Sequence, residues 1–286
     1  MIPKIIHYCW LSGDPFPAEI QRCIDSWHKY LPDYELRLWD TKRFDIESTL
    51  WTKQAFEHRK YAFAADYIRL YALYNYGGIY LDADVLVYKS FDDLLQLPYF
   101  IGCDQIGAFE AAVIGAEKGC PWITDILEHY NDRPFIKGDG AMDMQELPIT
   151  FHHELVARDY TFHKVHGIEE FVHGSSHVNT DSQEKEICVR STFGRLHGKN
   201  PCDIEKRIAV FDAGFFNSRD QVGVRRTRRS YCAHNYVGSW QPRSGFTPPL
   251  WNPKRWLPRW LVNSLLELSH KTWTRHKFDW YTIPFG

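Results

Sequence analysis

The 286-residue chain is long enough for one large domain or a domain with an appendage. Its formal net charge of -2 excludes a protein that binds nucleic acid by overall charge. Aromatic residues make up 16% of the chain, with 11 Trp and 16 Tyr, a surplus over core needs that suits stacking on sugars, bases or partners. The opening MIPKIIHYCW is too short in apolar length for a signal peptide or membrane span, and no later run is long enough to span. The seven cysteines, Cys9, Cys23, Cys103, Cys120, Cys188, Cys202 and Cys232, include no Cys-x-x-Cys pair. An odd, scattered set points to free thiols in a reducing compartment, so the expectation is a cytoplasmic protein.

In chain order, Ile2 to Cys9 reads as a buried strand, followed by a Gly/Pro loop from Trp10 to Pro17. Ile20, Cys23, Ile24 and Trp27 recur at helical spacing, and the helix ends near Pro32. Tyr34 to Trp39 alternates like a second strand. A strand, helix, strand opening predicts an α/β nucleotide-binding half, yet it carries neither a Gly-x-Gly-x-x-Gly turn nor a Walker loop. Phe56 to Tyr76 predicts one helix, with Phe63, Tyr67, Leu70, Tyr71 and Tyr74 in a stripe. Its stretch YAFAADYIRLYALY is apolar nearly all round except for Asp66 and Arg69, which implies burial on all sides. Gly77 and Gly78 end it, and IYLDADVLVY predicts one central strand. Ala112 to Gly115 suggests a strand, Trp122 to Tyr130 a helix, and Ser230 to Asn235 a returning strand. Residues 131 to 205 show no firm period, and the part after Pro258 reads as helical.

Alternation along a strand puts Tyr80, Asp82 and Asp84 on one face. Two carboxylates there need a counter-charge if buried, and a divalent cation supplies one; exposure at a strand end is the plainer alternative. Asp66 and Arg69, three apart, share a helix face. They form either a self-satisfied ion pair or a site for a polar sugar, the carboxylate accepting from hydroxyls and the guanidinium donating. In CAHNYVGSW, His234 is either structural or the residue that completes a metal's coordination, with Ser239 and Trp240 beside it. In the second case Trp240 would cover a diphosphate.

The stretches IPKIIHYCW, AFAADYIRLYALYNYGGIYLDADV, AVIGAEKGCP and HNYVGSW together resemble the Asp-x-Asp sugar transferases. That family includes yeast initiating mannosyltransferases and bacterial capsule and O-antigen enzymes. The second stretch is also similar to the glucosyltransferase domains of large clostridial toxins. The resemblance covers about the first 125 residues and the segment near 231–240. It implies a GT-A-like α/β catalytic domain over residues 1–245, a basic, Trp-rich tail over 246–286, and a metal-dependent, retaining transfer. Under it Trp10 would stack on the donor base, and Asp66, Arg69 and Tyr80 would hold the donor sugar. Asp82 would contact ribose, sugar or metal, Asp84 and His234 would ligate Mn²⁺ or Mg²⁺, and Ser239 and Trp240 would clamp the diphosphate. Asp66, Arg69, Asp82 and Asp84 are thus the catalytic candidates. Several relatives carry Asn just before the AVIG-like stretch, where this chain has Glu110 and Ala111, which leaves the sugar preference open.

The donor expected is a nucleotide-sugar, UDP-linked by preference, carrying a hexose or N-acetylhexosamine. The acceptor expected is a saccharide or lipid-linked saccharide, as in capsule or O-antigen synthesis. Trp251, Trp256, Trp260 and Trp273 among basic residues suit an anionic membrane surface, and equally a helix packed on the catalytic domain. Peripheral placement at the inner face of the cell membrane follows from the first reading. One rival is a phosphatase of the haloacid dehalogenase type, with Asp82 as nucleophile and Asp139 and Asp143 holding Mg²⁺. Another is a non-catalytic nucleotide-sugar-binding protein.

Overall fold

The computed structural model describes residues 1–104, 107–174, 206–218, 226–236 and 283. Its strands are β1 (Ile5–Cys9), β2 (Glu35–Trp39), β3 (Gly78–Leu81), β4 (Val85–Val87), β5 (Tyr99–Cys103), β6 (Phe109–Ala116), β7 (Thr161–Val165), β8 (Arg207–Phe211) and β9 (Cys232–His234). The helices are α1 (Ala18–Tyr30), α2 (Leu50–Glu57), α3 (Tyr61–Tyr76), α4 (Pro121–Glu128), α5 (Leu147–Ala157), α6 (Ile168–Gly174) and the one-turn α7 (Ala213–Phe216). Seven strands form a mixed sheet in the order β2-β1-β3-β6-β5-β8-β7, and β4 and β9 form a separate antiparallel ribbon. Within the large sheet β6 runs against its neighbours β3 and β5, whereas β2-β1-β3 and β5-β8-β7 pair in parallel. This is the α/β class expected.

The direction of β6 decides what reaches the sheet's carboxyl edge. β1 and β3 end there, delivering Trp10 and Asp82, the position at which open α/β sheets bind ligands. Because β6 is antiparallel, it enters the sheet at that same edge and brings Glu110 with it. The β5–β6 register shifts so that Ile101 faces Ile114 while Gly102 faces Glu110, a bulge of the kind that re-aims side chains. Within it the Ala112 carbonyl accepts from Asp82 N–H at 2.9 Å.

α1 buries Ile20, Cys23, Ile24 and Trp27, the face its spacing predicted. It also satisfies the open edge of β4. Trp27 Nε1 donates to the Val85 carbonyl at 2.8 Å, and Val87 N–H donates to Ser26 Oγ at 2.9 Å. A backbone edge that would otherwise be unpaired in the interior is thus closed by two side chains.

The structure corrects two element expectations. The helix read over Phe56 to Tyr76 is two helices: α2 is capped at Thr49, whose hydroxyl accepts from Thr52 N–H, and stops at His58, where Arg59 turns to φ +56°. Nor is α3 buried all round. Phe63, Leu70 and Leu73 are buried, but Tyr67 and Tyr71 are half-buried and Tyr74 and Tyr76 exposed. Those tyrosines need no full burial, since each offers a polar tip to water. The strand read over Ile79 to Tyr88 is broken by a turn into β3 and β4, which belong to different sheets. Gly77 (φ +64°) and Gly78 (φ +111°) make the helix-to-strand junction; a Cβ on Gly78 would meet the Ile5 carbonyl oxygen at 2.7 Å.

Part of the segment without a period is ordered as α5, β7 and α6. Cys9, Cys23, Cys103, Cys120 and Cys232 are free thiols, while Cys188 and Cys202 lie outside the described residues. No helix among the described residues is long and apolar enough to cross a membrane. The tail expected over 246–286 lies outside the described residues apart from the buried Ile283.

Candidate active site

Asp82, Ala83 and Asp84 form the turn between β3 and β4, closed by Val85 N–H donating to the Asp82 carbonyl at 2.9 Å. The two carboxylates therefore meet through a turn, not through the pleat of one strand. β9 supplies the third member: Val85 faces His234 in the β4–β9 ribbon, and Asn235 N–H donates to the Asp84 carbonyl at 3.1 Å. One ligand atom each from Asp82, Asp84 and His234 lies within 4.8 Å of the others. His234 Nε2 sits 3.4 Å from Asp84 Oδ1.

Asp82 is tied to the α3 pair. Arg69 Nη2 lies 2.8 Å from Asp66 Oδ1 and 3.3 Å from Asp82 Oδ1, while Nη1 donates to the Ala111 carbonyl at 2.7 Å. The guanidinium also lies over the Tyr80 ring at 4.6 Å, and Tyr80 Oη donates to Asp82 Oδ1 at 2.9 Å. Burial opposes the Arg69 charge, but Asp82, Tyr80 and Asp66 outweigh it and hold Arg69 above its usual range. Burial pushes the Asp66 carboxyl up against the pull of Arg69. Three contacts of Arg69 are internal, and its buried Nε has no partner among the described residues. It acts first as a clamp that sets the spacing of Asp66 and Asp82.

The electrostatics favour a cation. Asp66, Asp82, Asp84 and Glu110 converge on one guanidinium and one imidazole. Burial works against a charged His234, yet Glu110 and Asp84 on either side hold it well above the ordinary histidine range. A group that attracts a proton this strongly suits a divalent metal in its place. Two carboxylate oxygens and one imidazole nitrogen fit Mn²⁺, and suit the harder, oxygen-preferring Mg²⁺ less well.

Trp10 lies just past β1 at the same sheet edge, half-buried, its ring edge-on to Phe16 and its Nε1 donating to the Asp14 carbonyl at 2.7 Å. Ser239 and Trp240 lie outside the described residues. The acidic loop of the phosphatase reading is engaged elsewhere. Asp143 is buried against Arg133 Nη2 at 2.6 Å and Lys137 Nζ at 3.4 Å, and Asp139 accepts from Ala141 N–H at 3.0 Å. Neither joins the Asp82–Asp84–His234 group, so that arrangement is set aside. Glu110, by contrast, was read only for sugar preference and proves to be the His234 partner, with Nδ1 to Oε1 at 3.1 Å. The available signal was a lone acid in the apolar strand FEAAVIGA.

Residues 17–101 match the model for the glycosyltransferase sugar-binding region containing the DXD motif. The chain is 32% identical over 135 residues to inositol phosphoceramide mannosyltransferase 3 of Schizosaccharomyces pombe, a match covering 45% of this chain and 37% of that protein. It is 32% identical over 146 residues to mannosyl phosphorylinositol ceramide synthase SUR1 of Saccharomyces cerevisiae, covering 48% of this chain and 37% of that one. The matches thus span 37% of the length of each of these relatives. Among solved structures, PaToxG glycosyltransferase aligns at 21% identity and a TM-score of 0.42, covering 66% of this chain and 76% of that chain. Over residues 17–101 the chain is thus similar to the glycosyltransferase sugar-binding region that contains the DXD motif.

Proposed function

We propose that the chain is a metal-dependent, retaining hexosyltransferase that takes its sugar from a nucleoside diphosphate donor at the β3–β4 turn. The observation that carries this reading is the convergence of Asp82, Asp84 and His234 at the carboxyl edge of the sheet. A bound Mn²⁺ or Mg²⁺ would neutralise the departing diphosphate. Asp84 from the β3–β4 turn, His234 from β9 and Asp82 from the end of β3 would hold the cation. Asp66 accepts from a donor-sugar hydroxyl, and Arg69 keeps Asp66 and Asp82 at their working distance. Trp10 offers its ring to the base, and the resemblance assigns Ser239 and Trp240 to the diphosphate. Among the described residues none stands out as an enzymic nucleophile, which fits retention by front-face attack, the acceptor proton passing to a donor phosphate oxygen.

Two donors are in contention. The toxin-like stretch favours a UDP-hexose, and the mannosyltransferase names of the relatives favour GDP-mannose. Those relatives' names also include ceramide, which supports an acceptor presented at a lipid surface. The deciding experiment is a panel of UDP- and GDP-sugars scored for Mn²⁺-dependent release of the nucleotide. Turnover of one donor, abolished by chelation, supports the reading. Binding of a donor without any turnover favours the non-catalytic sugar-nucleotide binder, and phosphate release from a simple phosphoester favours the phosphatase.

A further inference from the structure

Glu110 is an acid placed where the fold has little reason to keep one. It lies on β6 between Phe109 and Ala111, both buried, and is itself 3% exposed. Four donors among the described residues converge on its carboxylate. Oε1 accepts from His234 Nδ1 at 3.1 Å and from Ala112 N–H at 3.2 Å. Oε2 accepts from Asn217 Nδ2 at 2.6 Å and from Tyr236 Oη at 3.0 Å. Asn217 is fully buried and also bonds Tyr236 Oη. Tyr236 then closes over the imidazole, its ring stacked on His234 at 3.9 Å between centroids. It does so from a backbone with φ +49°, a conformation that costs a bulky residue energy and persists only where contacts impose it.

The two ring nitrogens of His234 are therefore divided between two acids. Nδ1 is bonded to Glu110, and Nε2 points to Asp84. With its proton fixed on Nδ1, a neutral His234 carries its lone pair on Nε2, toward Asp82 and Asp84. In the opposite tautomer Nδ1 would face a carboxylate with a lone pair, and Nε2 could ligate nothing.

We propose that Glu110 is a positioning residue for cation binding, fixing the tautomer and ring orientation of His234 with Asn217 and Tyr236 as its supports. The inference rests on the reading of Asp82, Asp84 and His234 as a cation site. Its consequence is selectivity. An imidazole nitrogen held in place favours Mn²⁺ over the harder Mg²⁺. Losing Glu110 weakens the nitrogen ligand and leaves the two aspartates.

The test is titration of the metal alone, Mn²⁺ by electron paramagnetic resonance and Mg²⁺ by competition, on the full chain and on Glu110→Gln and Asp84→Asn. Expected for Glu110→Gln is Mn²⁺ binding weakened about 10- to 100-fold, with Mg²⁺ weakened less. Unchanged Mn²⁺ affinity, or equal loss of both cations, overturns the proposal. Asp84→Asn keeps the two readings apart. If it binds Mn²⁺ like the parent, the site reading itself falls. If it loses Mn²⁺ while Glu110→Gln does not, only the positioning role falls. Should Glu110→Gln not fold, Tyr236→Phe serves instead, removing one donor to Glu110 while keeping the stacked ring. It is expected to shift Mn²⁺ affinity in the same direction by a smaller factor, and no shift overturns the proposal.

Discussion

At the scale of single residues, His7 shows how one buried ring ties sheet to helix. It is fully buried, its Nδ1 accepting from Trp39 Nε1 at 3.0 Å and its Nε2 donating to the Gly77 carbonyl at 2.8 Å. Both nitrogens are thus assigned to the neutral form. Burial lowers its pKa to about 4, with the Gly77 bond opposing. The unfolded chain takes up this proton near pH 6.5 and the folded chain does not, so the stabilisation is complete above pH 6.5 and declines as pH falls toward 4. The loss amounts to about 3 kcal/mol. His7→Gln is expected to remove that part of the acid slope, measured as urea midpoints at pH 7.5 and pH 4.5. The same slope in parent and variant would refute it. The carboxylates at positions 82 and 84 were legible in sequence because Gly-Gly and Asp-x-Asp stand in one frame, although the geometry invoked for them was wrong. Glu110 was not legible as a His234 partner, because 124 residues separate the two and only the antiparallel entry of β6 brings them together.

At the scale of elements, α1 and the β4–β9 ribbon depend on each other. Trp27 is fully buried and its indole closes the Val85 carbonyl, next to Asp84. Trp27→Phe keeps most of the apolar area and leaves that carbonyl without its donor. The expected cost is about 1–3 kcal/mol, read by chemical denaturation, with weakened Mn²⁺ binding because Asp84 lies in the turn that leads directly into that strand. A variant as stable as the parent would mean that the bond does not anchor β4. The elements with clear periods, β1, α1 and β2, were legible to within a few residues. The α2–α3 break was hidden because His58, Arg59 and Lys60 give no Gly or Pro signal, and Arg59 takes its positive φ without one. The β3–β4 turn was hidden because IYLDADVLVY is apolar on both sides of the acids; only the pairing of β4 with β9 shows where the sheet ends.

At the scale of the whole molecule, the described residues place the acids Asp66, Asp82, Asp84 and Glu110 at one edge of a seven-stranded sheet, with α3 behind it. α5, β7 and α6 were not legible because their segment mixes short apolar and polar pieces, and β7 gains its place only by pairing with β8. The basic, Trp-rich part from Trp251 bears on where such an enzyme would meet a lipid-presented acceptor. Deleting residues from Trp251 onward is expected to abolish co-sedimentation with anionic liposomes while the parent sediments. Equal sedimentation of both would reject the membrane role.

The most direct test of the central claim is calorimetric titration of UDP and of GDP into the protein with and without Mn²⁺, for the parent and Asp84→Asn. The account predicts that one nucleotide binds the parent far more tightly with Mn²⁺, and that Asp84→Asn loses this gain while keeping its thermal midpoint in chelator. Nucleotide binding indifferent to Mn²⁺, or a metal-dependent gain that survives in Asp84→Asn, would contradict it.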